Sequence, residues 1–323
     1  MPSLAEIRAK LAQSENKQQK SSGPSDNAIY PHWNINEGTT ATIRFLPDGN
    51  TQNEFFWVER QVIKLPFNGV KGDSNVKQIT VTIPCMEMYG ESCPILAEVR
   101  PWYKDESLKE MANKYWKKRS YLFQGFVRQN PMGDDVTPAN PIRRFIISPQ
   151  LIPIIKTGLM DPEMEELPTH FTRGLDFVVR KTSKGGYADY STSNWARKET
   201  ALTEVEQAAI DAHGLFNLSD FLPKKPTQAE LAIMKEMFDA SVDGMPFDNE
   251  RWGQYFRPYG LEAPAGSNST APTAAPATTP AASVDDDLPF EPDEPVRVTA
   301  PAVSSDKAQD ILAKIRARQG NQV

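Results

Sequence analysis

The sequence predicts an α+β fold in which a small β-barrel carries helical insertions and lies between two disordered terminal segments. Short segments rich in β-branched and aromatic residues, bounded by turn residues, indicate strands. Helix-like segments lie between and after them. Both ends of the chain are polar or low in complexity, a composition that cannot form a core. With 323 residues, 39% of them hydrophobic, the chain is long enough for one large or two ordinary domains.

Residues 1–32 are predicted to form a polar N-terminal arm. Leu4, Ile7 and Leu11 lie at helical spacing behind a capping box, so we expect a short amphipathic helix. Such a helix is marginal when isolated. Its apolar side chains are therefore expected to bind the protein's own core or a neighbouring copy, and a frayed terminus is the alternative.

Residues 33–260 are predicted to form the folded core. The expected strands are residues 39–49, 54–65, 77–83, 120–129, 142–147 and 175–181. The expected helices are residues 94–100, 105–114 and 150–156, and most of residues 203–256 with breaks at Gly214 and at residues 223–226. Short strands with helices inserted among them favour an oligonucleotide-binding (OB-fold) β-barrel.

Residues 261–323 read as a flexible linker, an acidic tail and a terminal amphipathic helix. Residues 263–283 are rich in Ala, Pro, Thr and Ser, residues 285–294 are strongly acidic, and residues 306–319 have a helical apolar pattern. The acidic stretch opens with Asp285, Asp286 and Asp287 and has two apolar residues embedded in it, Leu288 and Phe290.

Charge is distributed unevenly along the chain. The formal net charge is −6, yet residues 100–128 carry eight basic residues against three acidic ones. A basic segment on an acidic protein fits the binding of a polyanion in a defined groove. No secretory leader pattern and no apolar run long enough to span a membrane occurs, so we expect a soluble, intracellular protein.

The strongest functional signal is the segment 113–128. Four cations and three aromatic residues fall within residues 114–121, just before a run of strand-forming residues. Cations follow a phosphate backbone, and aromatic faces stack on unpaired bases of any sequence. The alternative is a basic helix end that runs into an amphipathic strand. Local chemistry selects Trp116, Arg119, Arg143 and Arg144 as candidate nucleic-acid contacts.

A second basic and aromatic cluster occupies residues 180–190. The pair Gly185-Gly186 predicts a turn with tyrosines near its tip, and loops between barrel strands are where such folds hold oligonucleotides. The alternative is a hairpin with surface tyrosines. The candidates from this cluster are Lys181, Lys184, Tyr187 and Tyr190.

The two cysteines, Cys85 and Cys93, provide at most half of a zinc site. A structural zinc ion needs four ligands, commonly with C-x₂-C spacing, and neither cysteine has such a partner. We therefore predict reduced, partly buried thiols and no cofactor. Phosphate loops and metalloprotease motifs are absent from the sequence, so we predict that the protein is not an enzyme.

Several segments, in order, resemble a known family. They are residues 41–47 (Ala-Thr-Ile-Arg-Phe-Leu-Pro), Cys85 with residues 92–95 (Ser-Cys-Pro-Ile), residues 117–121 (Lys-Lys-Arg-Ser-Tyr), and residues 174–180 running on to Tyr187 and Tyr190. Together they resemble the single-stranded DNA-binding, helix-destabilising proteins of T-even-like bacteriophages. The resemblance covers residues 33–200, and beyond them only the organisation is similar.

The resemblance implies an OB-fold core, an N-terminal arm for cooperative binding to neighbours, and an acidic tail that recruits replication proteins. It places Arg44, Lys117, Lys118, Tyr121, Tyr187 and Tyr190 in the DNA cleft. The family's zinc site uses three cysteines and a histidine; here Leu96 stands where the third cysteine should fall, so zinc is not expected. The arm also lacks the family's basic cluster before its helix. The acidic stretch is similar to the tip of bacterial single-stranded DNA-binding proteins. This likeness implies that Asp285, Asp286, Asp287, Leu288 and Phe290 bind partner proteins.

The resemblance thus implies a cooperative, sequence-independent single-stranded DNA-binding protein. Such a protein coats and protects strands in phage DNA replication, recombination and repair, and acts in the cytoplasm of the infected bacterial host. The alternative is a single-stranded RNA-binding translational repressor with the same barrel. A nuclease would require a cluster of metal-binding carboxylates that the sequence does not single out.

Overall fold

The structure, a computed structural model, describes residues 28–73, 78–133, 138–258 and 261. The arm residues Leu4, Ile7 and Leu11 and the acidic tail lie outside these ranges, as do the linker and the predicted terminal helix. Within them the chain has the predicted α+β composition, with a mostly antiparallel sheet and several short helices.

Six of the strands in the described ranges lie close to the predicted segments, and three short ones were not predicted as strands. They are β1 (Thr40–Phe45), β2 (Val58–Phe67), β3 (Ile79–Pro84), β4 (Lys118–Gln129), β5 (Arg143–Ile147), β6 (Phe177–Arg180), β7 (Thr182–Lys184), β8 (Tyr187–Asp189) and β9 (Asn194–Trp195). Strands β7 and β8 form a separate hairpin, and the other strands belong to one sheet. Strand β2 begins four residues later than predicted, because residues 54–57 form a loop.

The helices also follow the prediction. They are α1 (Pro94–Val99), α2 (Lys109–Tyr115), α3 (Leu151–Leu159), α4 (Glu204–His213), α5 (Gln228–Val242) and α6 (Asn249–Trp252). Capping boxes begin α4 at Thr203 and α5 at Thr227, which explains why both helices start where they do. In the described ranges, every helix is too short or too polar to cross a membrane.

Strand β4 is the centre of the sheet. Leu122 pairs with Val58 of β2 on one edge and with Ile146 of β5 on the other. Further along β4, Gly125 pairs with Phe45 of β1 on the first edge and with Arg143 of β5 on the second. Strands β2 and β1 therefore follow one another along the same edge of β4. The close approach of β1 requires glycine, since a Cβ at Gly125 would collide with the Arg44 carbonyl oxygen.

The strands do not close into the predicted barrel. The sheet runs from β3 through β2, β4, β1 and β6 to β9, with β5 added to β4. Among the described residues, no ladder joins β3 to β9. Strand β9 has only two residues, and the side chains of β3 pack in the cluster that contains the helices α1, α2 and α5. The structure therefore shows an open sheet.

Two main apolar clusters flank the sheet. In the first, Trp102 and Tyr115 pack with Phe238 of α5 against β2 and β3. In the second, Phe45 and Phe123 pack with side chains of β5, β6 and α3. Strand β2 contributes side chains to the first cluster and β4 to the second, and the two strands pair with each other. The surface where these strands meet is therefore positioned by both clusters.

Residues 28–32, which were predicted to belong to the arm, pack with the core. Tyr30 and His32 are fully buried. The Tyr30 amide donates to the Arg144 carbonyl oxygen (2.9 Å), and the Arg144 amide donates to the carbonyl oxygen of Ala28 (2.6 Å). These bonds hold residues 28–30 beside β5.

Candidate nucleic-acid interface

The alternation of β4 divides the basic cluster at residues 117–121 between two faces of the sheet. Successive strand side chains point to opposite sides, so Arg119 and Tyr121 share one face, and Lys118 lies on the other. The Lys118 ammonium donates to the Asn113 carbonyl oxygen (3.1 Å). Burial, together with nearby Lys64, lowers the pKa of Lys118 to about 8. The cluster is therefore not one continuous surface.

On the Arg119 face, Tyr121 lies between a cation and an ion pair. The Lys156 ammonium of α3 lies 5.6 Å from the centre of the Tyr121 ring. Tyr121 is paired across the strands with Glu59, whose carboxylate lies 3.6 Å from the Arg119 guanidinium. Helix α3, strand β4 and strand β2 thus bring Lys156, Arg119 and Glu59 together around one aromatic ring.

The contacts continue from Glu59 toward the helical side of the molecule. The Gln61 side-chain amide donates to the Glu59 carboxylate (2.7 Å), and the Lys117 ammonium donates to the Gln61 side-chain oxygen (3.1 Å). Lys117 also forms an ion pair with Glu87 (2.8 Å), and Glu87 forms a second ion pair with Arg100. An unbroken chain of contacts therefore crosses this face from α3 to the segment after α1.

We call this row of charged side chains the basic strip: Lys156, Arg119, Lys117, Arg100, Glu59 and Glu87. Its four cations and two carboxylates give a formal charge of +2 on a protein of net charge −6. The Lys156 side chain is exposed, and those of Arg119 and Arg100 are 26% and 34% exposed. Three cations can therefore contact an anion in solution. Lys117, only 10% exposed, mainly orients its neighbours.

Arg44, predicted in the DNA cleft, is fully buried. Its guanidinium donates to the carbonyl oxygens of His170 (2.7 Å) and Thr200 (2.8 Å) and lies 3.5 Å from the Asp176 carboxylate. Burial, with nearby Arg128, lowers the pKa of Arg44. In this structure Arg44 ties β1 to residues 170–200 and has no exposed surface for a phosphate.

Trp116 and Tyr190, predicted as stacking residues, are also buried. The Trp116 ring packs edge-on against Tyr103, with ring centres 5.2 Å apart, inside the helical cluster. The Tyr190 ring packs edge-on against His32 at 5.9 Å, and burial raises the pKa of Tyr190 to about 12. Neither ring offers a face to a base. Tyr121 is buried too, so its role here is to position Lys156.

Arg143 and Arg144 hold chain segments against β5. The Arg143 guanidinium lies 5.7 Å from the centre of the Tyr30 ring and donates to the Ile29 carbonyl oxygen (3.3 Å). The Arg144 guanidinium lies 4.0 Å from the centre of the Phe221 ring. Both side chains are buried, so their predicted contacts with a strand find no open surface in this structure.

The hairpin β7–β8 presents the second predicted cluster to solvent. Gly185 (φ 63°) and Gly186 (φ 84°) form the turn, which needs two residues with positive φ. Tyr187 is 68% exposed, and its cross-strand partner Lys184 is also exposed. Lys181 instead donates to the Trp33 carbonyl oxygen (2.6 Å). The tip of the hairpin therefore offers one cation and one aromatic ring together.

Cys85 and Cys93 do not by themselves fit a four-ligand zinc site. The neighbouring Cys93 sulfur and burial raise the pKa of the Cys85 thiol, and the hydrogen bond from Cys85 lowers the pKa of Cys93. Both side chains are buried. Within the described ranges, no third histidine, cysteine or carboxylate joins them to make a metal-binding group. Two sulfurs leave a tetrahedral shell half empty.

Three side chains of this face were not singled out from the sequence: Lys156, Arg100 and Phe55. Lys156 and Arg100 reach it only because α3 and α1 pack against the sheet. Phe55, 56% exposed, lies in the loop before β2. The run Phe55-Phe56-Trp57 was available as a signal. Three consecutive aromatic residues cannot all face one core in an extended segment.

No protein-family model matches this chain, and no curated protein matches it. What the protein binds is therefore inferred from its own residues. The features that bear on this are the basic strip, the tip of the hairpin β7–β8 and the exposed aromatic rings.

Proposed function

We propose that the protein binds single-stranded DNA without sequence preference, through the face of β2 and β4 that carries the basic strip. The observation that carries this proposal is the unbroken row of contacts from Lys156 to Arg100. Fixed cations along a row can follow the phosphates of a strand, and each neutralised phosphate releases counterions. The strip is positive, whereas the protein as a whole is acidic. A polyanion is therefore expected to bind at this one site and not over the whole surface.

Exposed aromatic rings favour a single strand over a duplex. The Tyr187 ring is open to solvent beside Lys184. Stacking on such a ring requires a base that is not already stacked inside a helix, and it tolerates any base. Cations alone would bind duplex and single strand alike, whereas cations with open rings select unpaired nucleotides.

The wider role is proposed from the resemblance to the phage proteins. In this proposal the core is a variant of the OB-fold, and the arm with Leu4, Ile7 and Leu11 binds the neighbouring copy along the strand. The acidic tail around Leu288 and Phe290 recruits replication proteins. The protein then coats and protects single strands during phage replication, recombination and repair in the host cytoplasm, without catalysing a reaction and without a cofactor.

Titration with labelled oligonucleotides over a range of salt concentrations tests the proposal. The wild-type protein should bind a homopolymeric DNA strand more tightly than the matched duplex, with an affinity that falls as salt rises. The same titration with a matched RNA strand tests the translational-repressor alternative, which predicts tighter binding to RNA than to DNA. Absence of salt-dependent DNA binding would overturn the proposal.

Two variants locate the binding face. Glu59→Gln removes a carboxylate that is paired with Arg119, so it should raise the affinity for DNA and steepen its salt dependence. Lys118→Gln is the matched control, since Lys118 lies on the opposite face of the same strand and should leave the salt dependence unchanged. If only Lys118→Gln alters the salt dependence, the strand lies on the other face of the sheet.

A further inference from the structure

A row of aromatic rings leads from the second apolar cluster to the surface beside the basic strip. The Phe45 and Phe123 ring centres are 4.8 Å apart, and Trp57 stacks on Phe123 at 5.5 Å with a 27° interplanar angle. Phe55 then lies 4.8 Å from Trp57 at an angle of 33°. The first three rings are buried, but more than half of Phe55 is exposed to solvent. Phe55 is thus the outermost ring of the row.

The loop that carries Phe55 is held by side-chain hydrogen bonds. The Phe55 amide donates to the Asn53 side-chain oxygen (3.1 Å), and the Asn53 amide group donates to Asp48 (2.7 Å) and to the Trp57 carbonyl oxygen (3.1 Å). Asp48 in turn accepts from the buried Leu218 amide (2.9 Å). An exposed apolar ring is therefore held in place before anything binds, which lowers the entropic cost of using it.

The row of rings and the basic strip belong to the same face. On β4, Phe123, Tyr121 and Arg119 alternate onto one side of the sheet. On the side of β2, Trp57 in the loop just before the strand contacts Phe123, and Glu59 in the strand contacts Arg119. Moving along this face from the Arg119 end therefore leads from cations to aromatic rings, and Phe55 lies at the aromatic end.

We propose that Phe55 stacks on the base of an unpaired nucleotide whose strand continues along the basic strip. This inference rests on the proposed function and adds a base-binding position to it. The exposed surface is a single ring on a loop whose neighbours, Gln52, Asn53 and Glu54, are polar. One isolated ring suits a base, which is of the same size, whereas a protein partner needs a larger continuous apolar patch.

Photo-crosslinking tests the contact directly. The full-length protein is mixed with a single strand that carries iodouracil, irradiated, and digested for peptide mapping by mass spectrometry. The inference expects a crosslink at Phe55. The exposed apolar residue Val205 of α4, which lies outside this face, serves as the internal comparison and should carry none.

Substitutions test whether the contact contributes to affinity. Phe55→Ala should weaken binding of a short strand roughly five- to a hundredfold, the range expected for one lost base stack. Phe55→Leu should weaken it as well, because it keeps an apolar side chain without a ring face, whereas Phe55→Tyr should bind like the wild type. Val205→Ala is the control. Since Phe55 is exposed, thermal unfolding should show that all four variants remain folded.

The outcomes separate this inference from the proposed function. A Phe55 crosslink, with loss of affinity in Phe55→Ala and Phe55→Leu, supports it. Salt-dependent strand binding with no Phe55 crosslink and unchanged Phe55→Ala affinity overturns it and leaves the proposed function standing. If Phe55→Ala weakens binding only to long strands, Phe55 contacts a neighbouring copy, and the inference is also overturned. No strand binding by the wild type overturns both.

Discussion

Replacing Arg44 with Met should lower the stability of the folded protein without changing how the protein binds a single strand. The guanidinium satisfies the carbonyl oxygens of His170 and Thr200, and it balances Asp176 in a buried group that also contains Arg128. Met fills similar space but leaves two buried acceptors unsatisfied, and it leaves Arg128 alone to balance both Asp176 and Glu206. Unsatisfied buried groups cost about 1–3 kcal/mol each, and broken buried ion pairs about 3–5 kcal/mol. We expect a loss of about 3–5 kcal/mol in the free energy of unfolding.

Urea unfolding measures this loss, and Arg119→Met is the matched comparison. Arg119 forms a partly exposed ion pair, so its removal should cost less than about 1 kcal/mol of stability. It should instead reduce the salt dependence of strand binding, which Arg44→Met should leave intact in the folded protein. If Arg44→Met were as stable as the wild type but bound DNA with a shallower salt dependence, Arg44 would belong to the cleft, as the resemblance implies.

Three further predictions concern other parts of the chain. Burial and nearby Lys181 lower the pKa of His32 from 6.5 to about 4, so the unfolded chain takes up a proton first as pH falls. The free energy of unfolding should therefore drop by about 3 kcal/mol between pH 6.5 and 4. His32→Phe should remove this part of the pH dependence. The same dependence of stability on pH in the variant and the wild type would contradict the prediction. Elemental analysis should find no stoichiometric zinc, whereas one zinc per chain, lost in Cys85→Ser, would contradict the two-thiol assignment. Truncation after residue 260 removes six acidic residues at 285–294 and should raise strand affinity, most of all at low salt; equal affinity there would exclude competition by the tail.

Local pattern was sufficient to predict most helices and strands. The capping boxes at Thr203 and Thr227, the Gly185-Gly186 turn and the aromatic, β-branched run in β4 all act over a few residues. Their physical causes are contained in the segment itself. For the same reason the helix breaks at Gly214 and at residues 223–226 were predictable.

The candidate site was less predictable, because its geometry depends on distant partners. Arg44 is buried by groups as far as 156 residues away in sequence, at Thr200. Strand β4 begins at Lys118, two residues before the predicted start. Lys118 and Arg119 were therefore not expected to lie in the strand, and their separation onto opposite faces of the sheet was not foreseen. Closure of a barrel likewise depends on ladders between distant strands, which local pattern does not determine.

The most direct test of the central claim is the salt dependence of single-strand affinity in the wild type and in the double variant Arg119→Gln/Lys156→Gln. Both side chains belong to the basic strip and are accessible to an anion. Each phosphate contact with a single strand contributes about −0.7 to the slope of log K against log salt concentration. The slope of the double variant should therefore be shallower by about 1.4. An unchanged slope and affinity would show that the strand does not bind along this face.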